Sequence, residues 1–193
     1  MNMDESPSGM RDESDFEGNA CDELAGGLLR LCERRGAHIA CAESLTGGLL
    51  ADAFVRIPGA SRVFLGSAVT YDIRAKASIL GVDRDLLERE GAVHPEVARQ
   101  MAAGVSRLYG QPEYEGRIVG LSTTGVAGPG PDGGKPAGLV YVGCRLPGEL
   151  TGDGRDLLIA RELRLDGTRE QVRRRTVHGL LSIVRELTDV SQE

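Results

Sequence analysis

His38-Ile39-Ala40-Cys41-Ala42-Glu43-Ser44-Leu45-Thr46-Gly47-Gly48-Leu49-Leu50-Ala51-Asp52-Ala53-Phe54 contains the change of hydrophobic period on which the fold class turns. Residues 38–42 are a short apolar run of strand length, whereas Leu45, Leu49, Leu50, Ala53, Phe54 and Ile57 recur at helical spacing until Pro58-Gly59 stops them. A strand that hands over directly to a helix is the building unit of a layered α/β domain.

The same alternation continues on both sides. Upstream, Leu24, Leu28, Leu31 and Cys32 mark a helix that Gly36 is placed to end. Downstream, residues 63–70 read as a strand interrupted by Gly66, followed by short helical stretches near 73–80 and 83–90. A longer helix after Pro95 carries Val97, Met101, Val105 and Leu108 on one face. Residues 118–123 form the next strand. Two more, 139–146 and 157–165, flank a Gly/Pro-rich connection and can pair antiparallel. Val172, Thr176, Leu180, Val184 and Leu187 define a closing helix. The pattern predicts a single layered α/β/α domain over residues 21–190, with a mixed sheet flanked by helices and no internal repeat.

Composition narrows the function classes. A chain of 193 residues with 40% hydrophobic content suits one domain with a well-buried core. Residues 1–20 carry five of the six net negative charges among Ser, Pro, Gly and Asn, and this predicts a disordered acidic tail. The remainder is nearly neutral, which argues against binding to a nucleic-acid backbone. The cluster Arg169, Arg173, Arg174 and Arg175 reads as a solvated helix face. The absence of tryptophan argues against a base-stacking platform. No apolar run approaches the roughly 20 residues of a membrane span, and the acidic N-terminus is unlike a secretory signal, so a soluble cytoplasmic protein is expected. Cys21, Cys32, Cys41 and Cys144 show no C-x-x-C pairing, and His38, His94 and His178 are scattered. Neither a metal site nor a disulfide framework is indicated.

Three segments hold groups able to do chemistry. Ser44 lies where strand hands over to helix, near unpaired backbone N–H groups that suit a developing oxyanion. Gly47 and Gly48 clear side chains from the approach. A plain N-cap is the other reading of Ser44, although a capping box would want Glu or Gln where Gly47 stands. Nor is this a G-x-S-x-G elbow, because Ala42 and Thr46 occupy the glycine positions. The second segment is Val69-Thr70-Tyr71-Asp72-Ile73-Arg74-Ala75-Lys76. The chain has only two lysines, Lys76 and Lys135, against twenty-one arginines. Arginine cannot lose its proton near neutral pH, so a retained lysine is a candidate base, with Tyr71 as a relay or holder. The third segment, residues 122–136, is a long Gly/Pro-rich stretch. It fails as a dinucleotide fingerprint because of its prolines, and as a P-loop because Pro129 and Pro136 stand at required positions. Its backbone amides, with Thr124 and Lys135, form a candidate phosphate cradle.

Taken together, Ala42-Glu43-Ser44-Leu45-Thr46-Gly47-Gly48, Ile57-Pro58-Gly59-Ala60-Ser61, Val69-Thr70-Tyr71 with Lys76, Gly91-Ala92-Val93, and Thr124-Gly125-Val126-Ala127-Gly128-Pro129-Gly130 with Lys135-Pro136 resemble the CinA C-terminal domain family across about residues 21–188. Characterised members of that family are nicotinamide-nucleotide amidohydrolases of the PncC type, which convert nicotinamide mononucleotide to nicotinate mononucleotide and ammonia. The resemblance implies a Ser–Tyr–Lys catalytic set at Ser44, Tyr71 and Lys76. Substrate contacts are expected at Thr46, Gly47, Gly48, Thr124, Gly125, Gly128 and Lys135. No cofactor and no metal enter this reading, and a small-molecule nucleotide and a homo-oligomer are the implied partners. Many longer relatives carry an additional N-terminal domain of the molybdopterin-binding type; this chain, with its acidic tail, resembles the stand-alone form. His94 stands where relatives frequently have a small hydroxyl residue, and it is left out of the catalytic set. Two other functions stay open on the residues alone: a non-catalytic nucleotide- or partner-binding module, and an amidase for another small carboxamide.

Overall fold

The computed structural model describes residues 13–189. Alternate residues of strand β1 (His38–Glu43) serve opposite sides of the sheet. Ile39 and Cys41 join a core built with α1 (Glu13–Arg35), α2 (Leu49–Val55) and α6 (Arg169–Asp189). Ala40 and Ala42 pack instead against α3 (Ile73–Leu80), α4 (Arg84–Glu90) and α5 (Pro95–Leu108). Helices on both faces explain why β1 reads as a continuous apolar run rather than a polar/apolar alternation.

The sheet has five strands in the order β2-β1-β3-β4-β5, completed by β2 (Phe64–Val69), β3 (Ile118–Gly125), β4 (Leu139–Leu146) and β5 (Leu157–Arg164). β1 pairs parallel with β2 and β3, whereas β4 is antiparallel to both β3 and β5. This is the expected α/β/α arrangement with a mixed sheet. Close approach fixes α5 over its middle: a Cβ on Gly120 or Gly143 would lie 2.1 Å from the Ala102 carbonyl oxygen or 2.3 Å from that of Ala98. Ser122 Oγ also donates to the Ala98 carbonyl at 2.6 Å. Gly66 marks a register shift in β2, where Ile39 pairs with Phe64 and Ala40 with Gly66; its φ of +145° is one that side-chain-bearing residues rarely adopt.

Two expectations need correction. The helix expected from Leu45 begins only at Leu49. Gly47 and Gly48 have φ of +54° and +104°, so a right-handed helix cannot propagate through them, and residues 44–48 form a turn. At the other end, α1 starts at Glu13, inside the segment assigned to the acidic tail. Once the buried stripe of Cys21, Leu24, Ala25 and Leu28 has nucleated a helix, extension upstream adds one hydrogen bond per residue fixed. Residues 1–12 of that tail lie outside the described residues. Among the described residues all four cysteines are buried, no cluster could hold a metal ion, and no helix is long and apolar enough to cross a membrane.

Candidate active site

The C-terminal ends of the parallel strands gather the groups of interest, as is usual for clefts in α/β sheets. Ser44 follows β1 directly, and its amide donates to the Thr123 carbonyl on β3 at 3.1 Å. Thr70 follows β2, and its amide donates to the Glu43 carbonyl at 2.9 Å. These two ladder-like bonds set the spacing between Ser44 and the start of the next helix.

That helix, α3, is capped by Asp72, whose carboxylate accepts from the Arg74 amide at 2.7 Å. Lys76 lies one turn further on. Helical Cα–Cβ bonds lean toward the N-terminus, so its side chain runs back toward the strand ends. It is fully buried. Nζ is 3.0 Å from Ser44 Oγ, 2.5 Å from the Thr70 carbonyl oxygen and 3.5 Å from that of Tyr71. None of the ion pairs among the described residues involves Lys76. Burial lowers its pKa from the ordinary 10.5 to about 8, against a smaller opposite pull from the Asp72 charge. A neutral amine has two N–H groups and one lone pair. With the N–H groups aimed at the two carbonyls, the lone pair is left for the Ser44 hydroxyl, which is the arrangement a general base needs.

The turn after Ser44 is held from two sides. From within, the fully buried Glu43 carboxylate accepts five hydrogen bonds: from Thr46 Oγ1, Ser67 Oγ and the amides of Gly48, Leu50 and Ala51, at 2.7–3.1 Å. From outside, Arg173 on α6 donates Nε to the Leu45 carbonyl at 2.9 Å and Nη2 to the Thr46 carbonyl at 2.7 Å. In a trans peptide the N–H points opposite to the C=O, so drawing the Leu45 carbonyl toward Arg173 turns the Thr46 N–H to the other side. The Gly47 amide bonds to the Ser44 carbonyl at 3.2 Å, while those of Leu45 and Thr46 have no hydrogen-bond partner among the described residues. Two free donors therefore stand immediately after the serine.

Across from this turn lies a cleft of about 250 Å³, whose walls include Leu45, Tyr71, the 125–132 segment and Arg169. Arg169, at the start of α6, donates Nη1 to the Gly128 carbonyl at 2.5 Å and Nη2 to the Tyr71 hydroxyl at 3.1 Å. A larger cavity of about 710 Å³ between α1 and α6 lies away from Ser44 and Lys76.

Among the residues singled out from sequence, Ser44 and Lys76 are brought into direct contact. Tyr71 contributes differently from the expectation: its side chain is 63% exposed, its hydroxyl bonds Arg169 rather than Lys76, and only its backbone carbonyl faces the amine. Thr46 is fully buried with its hydroxyl on Glu43 and Thr123, so its side chain takes no part in lining the cleft. Gly47 and Gly48 shape the turn. Thr124 Oγ1 donates to the Ala92 carbonyl at 2.7 Å, tying β3 to the Gly91-Ala92-Val93 loop. Gly125 and Gly128 line the cleft, but Lys135 does not; it closes a local turn with Asp132. His94 caps α5 by accepting from the Glu96 amide at 3.2 Å. The expectation of a solvated face for the arginine cluster needs correction in part: Arg169 and Arg174 are exposed, but Arg169 also lines the cleft, and Arg173, which like Arg174 pairs with Glu170, holds the turn after Ser44. The four-residue spacing of Arg169 and Arg173, which puts both on one helix face, was the available signal. Glu43 carried no such signal, because its role depends on a turn conformation set by two glycines.

The family model of the CinA C-terminal domain matches residues 22–188. A CinA-like protein of Frankia casuarinae is 44% identical over 171 residues, covering 88% of this chain and 36% of that protein. A putative competence-damage inducible protein of Clostridium kluyveri is 42% identical over 161 residues, covering 82% and 35%. The chain thus spans about a third of the length of these curated relatives. Among solved structures, the competence/damage inducible protein CihA from Agrobacterium tumefaciens superposes with a TM-score of 0.75 at 32% identity, over 87% of this chain and 95% of that one. A CinA superfamily protein from Escherichia coli superposes with a TM-score of 0.71 at 27% identity, over 93% and 94%.

Proposed function

The chain belongs to the CinA C-terminal domain family, and from that premise we propose that it is an amidohydrolase that converts nicotinamide mononucleotide to nicotinate mononucleotide and ammonia. The observation that carries this reading is the buried Lys76 amine, 3.0 Å from Ser44 Oγ and with its pKa lowered to about 8. With that pKa about a tenth of the amine is neutral at pH 7, against about one part in a few thousand for a free lysine.

The neutral amine takes the Ser44 proton as Oγ bonds to the carboxamide carbon. Negative charge moves to the carbonyl oxygen, where the Leu45 and Thr46 amides are the nearest free donors. Collapse of this intermediate breaks the C–N bond, and the Lys76 ammonium returns the proton to the leaving nitrogen, releasing ammonia. Water then adds to the acyl ester with Lys76 again as base, freeing the carboxylate and regenerating the serine. The substrate's pyridinium charge withdraws electrons from the carboxamide and assists the attack. Tyr71 acts as a wall of the cleft, and its carbonyl, with that of Thr70, orients the amine. Among the described residues lining the cleft Arg169 is the one cation, beside one anion, Asp132, and its guanidinium supports the choice of a phosphate-bearing substrate.

The test is ammonia release from nicotinamide mononucleotide by the purified protein, beside a Ser44→Ala variant shown by circular dichroism to be folded. Release by the wild type and loss in the variant support both the activity and the nucleophile. A wild type that releases no ammonia from the mononucleotide, the riboside or nicotinamide overturns the reading.

A further inference from the structure

We infer that Glu43 is a positioning residue for the reaction, holding the turn after Ser44 in the shape that leaves the Leu45 and Thr46 amides free for the oxyanion. The inference rests on the amidohydrolase reading and assigns a role to a side chain that never meets the substrate. Its basis is the hydrogen-bond arrangement around a carboxylate that is fully buried. Oε2 gathers the Thr46 hydroxyl at 2.7 Å, the Gly48 amide at 2.8 Å and the Leu50 amide at 3.0 Å; Oε1 gathers the Ser67 hydroxyl at 2.8 Å and the Ala51 amide at 3.1 Å. These partners come from the turn, from the first residues of α2 and from β2. None of the ion pairs among the described residues involves Glu43.

A buried carboxylate without a cation is costly unless its lone pairs are filled, and five donors fill them here. The same donors would otherwise compete for carbonyls within the turn. Because α2 has only a glycine at its N-cap, with no side-chain cap, Glu43 performs the capping from the preceding strand. Capping from the strand leaves the amides of residues 45 and 46 unused, whereas a Ser44 cap would have consumed Thr46 or Gly47 and withdrawn Oγ from Lys76. The Gly48 amide and the Thr46 hydroxyl are the two ties that set the turn itself; Ser67 ties only β2.

Glu43→Gln keeps the shape but presents an amide NH2, a donor, where an acceptor is needed. The expected result is a folded protein with kcat at least 10-fold lower and KM within about 3-fold, because the lost alignment matters most where charge develops. Ser67→Ala, which removes the one Glu43 partner on β2 and leaves the ties to the turn in place, should lower the melting temperature with a kcat loss smaller than that of Glu43→Gln. A second readout does not depend on the natural substrate: the rate at which a fluorophosphonate probe labels Ser44. There Oγ bonds to phosphorus, fluoride leaves, the proton passes to Lys76, and the phosphoryl oxygen needs the same donors. Labelling at least 10-fold slower in folded Glu43→Gln than in wild type supports the role even if no ammonia is ever released, so failure of the substrate assignment and failure of this inference are separable. Equal labelling rates, or a kcat loss no larger than the loss of folded protein, overturn it. So does an effect confined to KM. A wild type that neither releases ammonia nor accepts the probe overturns both readings.

Discussion

Around Ser44 the buried side chains of Glu43, Thr46, Lys76 and Thr123 are bonded across several elements, whereas residues 128–135 across the cleft are held by a few contacts. Glu43, Lys76, Thr46 and Thr123 are fully buried and bonded to groups on three strands and two helices. On the other side, Gly130, Gly133 and Gly134 have open space where a Cβ would stand. Gly125 pairs with Val140, and Val126 and Ala127 are buried, but beyond them the ties among the described residues are the Arg169 bond to Gly128 and the Asp132/Lys135 turn. On the proposed amidohydrolase reading, the difference matches two different jobs. Proton transfer and oxyanion binding lose rate steeply when atoms move by an ångström, so they belong in the rigid half. Recognition of a ribose phosphate tolerates adjustment, so it suits the exposed half.

The sharpest way to break this division is Lys76→Met. Turnover should fall by about 10²-fold or more with the fold intact, since a positioned general base contributes on that order. The same variant should be more stable near neutrality. The folded-state pKa of about 8 lies below the ordinary 10.5, so the folded protein resists binding the proton that the unfolded chain accepts. The resulting penalty is fully present below about pH 8 and is relieved as pH rises toward 10.5. At about 1.4 kcal/mol per unit it amounts to about 3 kcal/mol, and leaving the Thr70 carbonyl unpaired offsets about half or more of that. Thermal melts should therefore show a gain on the order of 1 kcal/mol at pH 7 that shrinks at pH 10. Near-normal turnover in folded Lys76→Met would remove Lys76 from the mechanism.

The next effect is a pH profile. If the neutral amine is the active form, kcat/KM rises about tenfold per pH unit up to about pH 8 and then levels. A flat profile between pH 6 and 8 would contradict a rate-contributing titration of Lys76. A smaller and differently shaped effect is expected from the exposed half. Arg169→Gln should raise KM for the mononucleotide about 10-fold, with kcat within about 3-fold, in keeping with a charge-assisted bond at a partly solvated site. The riboside, which lacks phosphate, should be unaffected. An equal loss on both compounds would show that Arg169 serves the cleft walls rather than the phosphate.

The same division describes what was legible in the sequence. Strand and helix periods were readable because they depend on local spacing, and so was the Ser44–Lys76 pair, since the preference for lysine over arginine is itself chemical. The Leu45 to Leu49 delay of α2 was not, because two adjacent glycines in one turn do not announce that both take positive φ. Glu43 was hidden for the same reason, its partners at 46, 48, 50 and 51 meeting only once that turn exists. The Tyr71 contact was not legible, because its carbonyl faces Lys76 while its hydroxyl meets Arg169 at the cleft wall. The contacts of Arg169 and Arg173 were hidden because their partners, Gly128 and Tyr71 for the exposed Arg169 and Leu45 and Thr46 for Arg173, are distant in sequence.

Lys135 offers the mildest test of the contrast. As one of only two lysines, beside a Gly-rich loop, it looked like a phosphate donor, yet its neighbourhood supplies none of what Lys76 has. Its backbone closes the turn with Asp132 through paired bonds of 2.9 and 3.0 Å, and the residue is half-buried and outside the cleft lining. An ammonium in such a setting keeps much of its hydration, and a solvated charge at a distance contributes little through water. Lys135→Ala should thus leave kcat and KM for the mononucleotide within about 2-fold, the scale of a screened surface charge. A tenfold rise in KM would mean that the 125–135 segment folds over the bound phosphate and brings Lys135 with it. The exposed half would then act by closing rather than by presenting a fixed arginine, and Arg169→Gln and Lys135→Ala would no longer be additive.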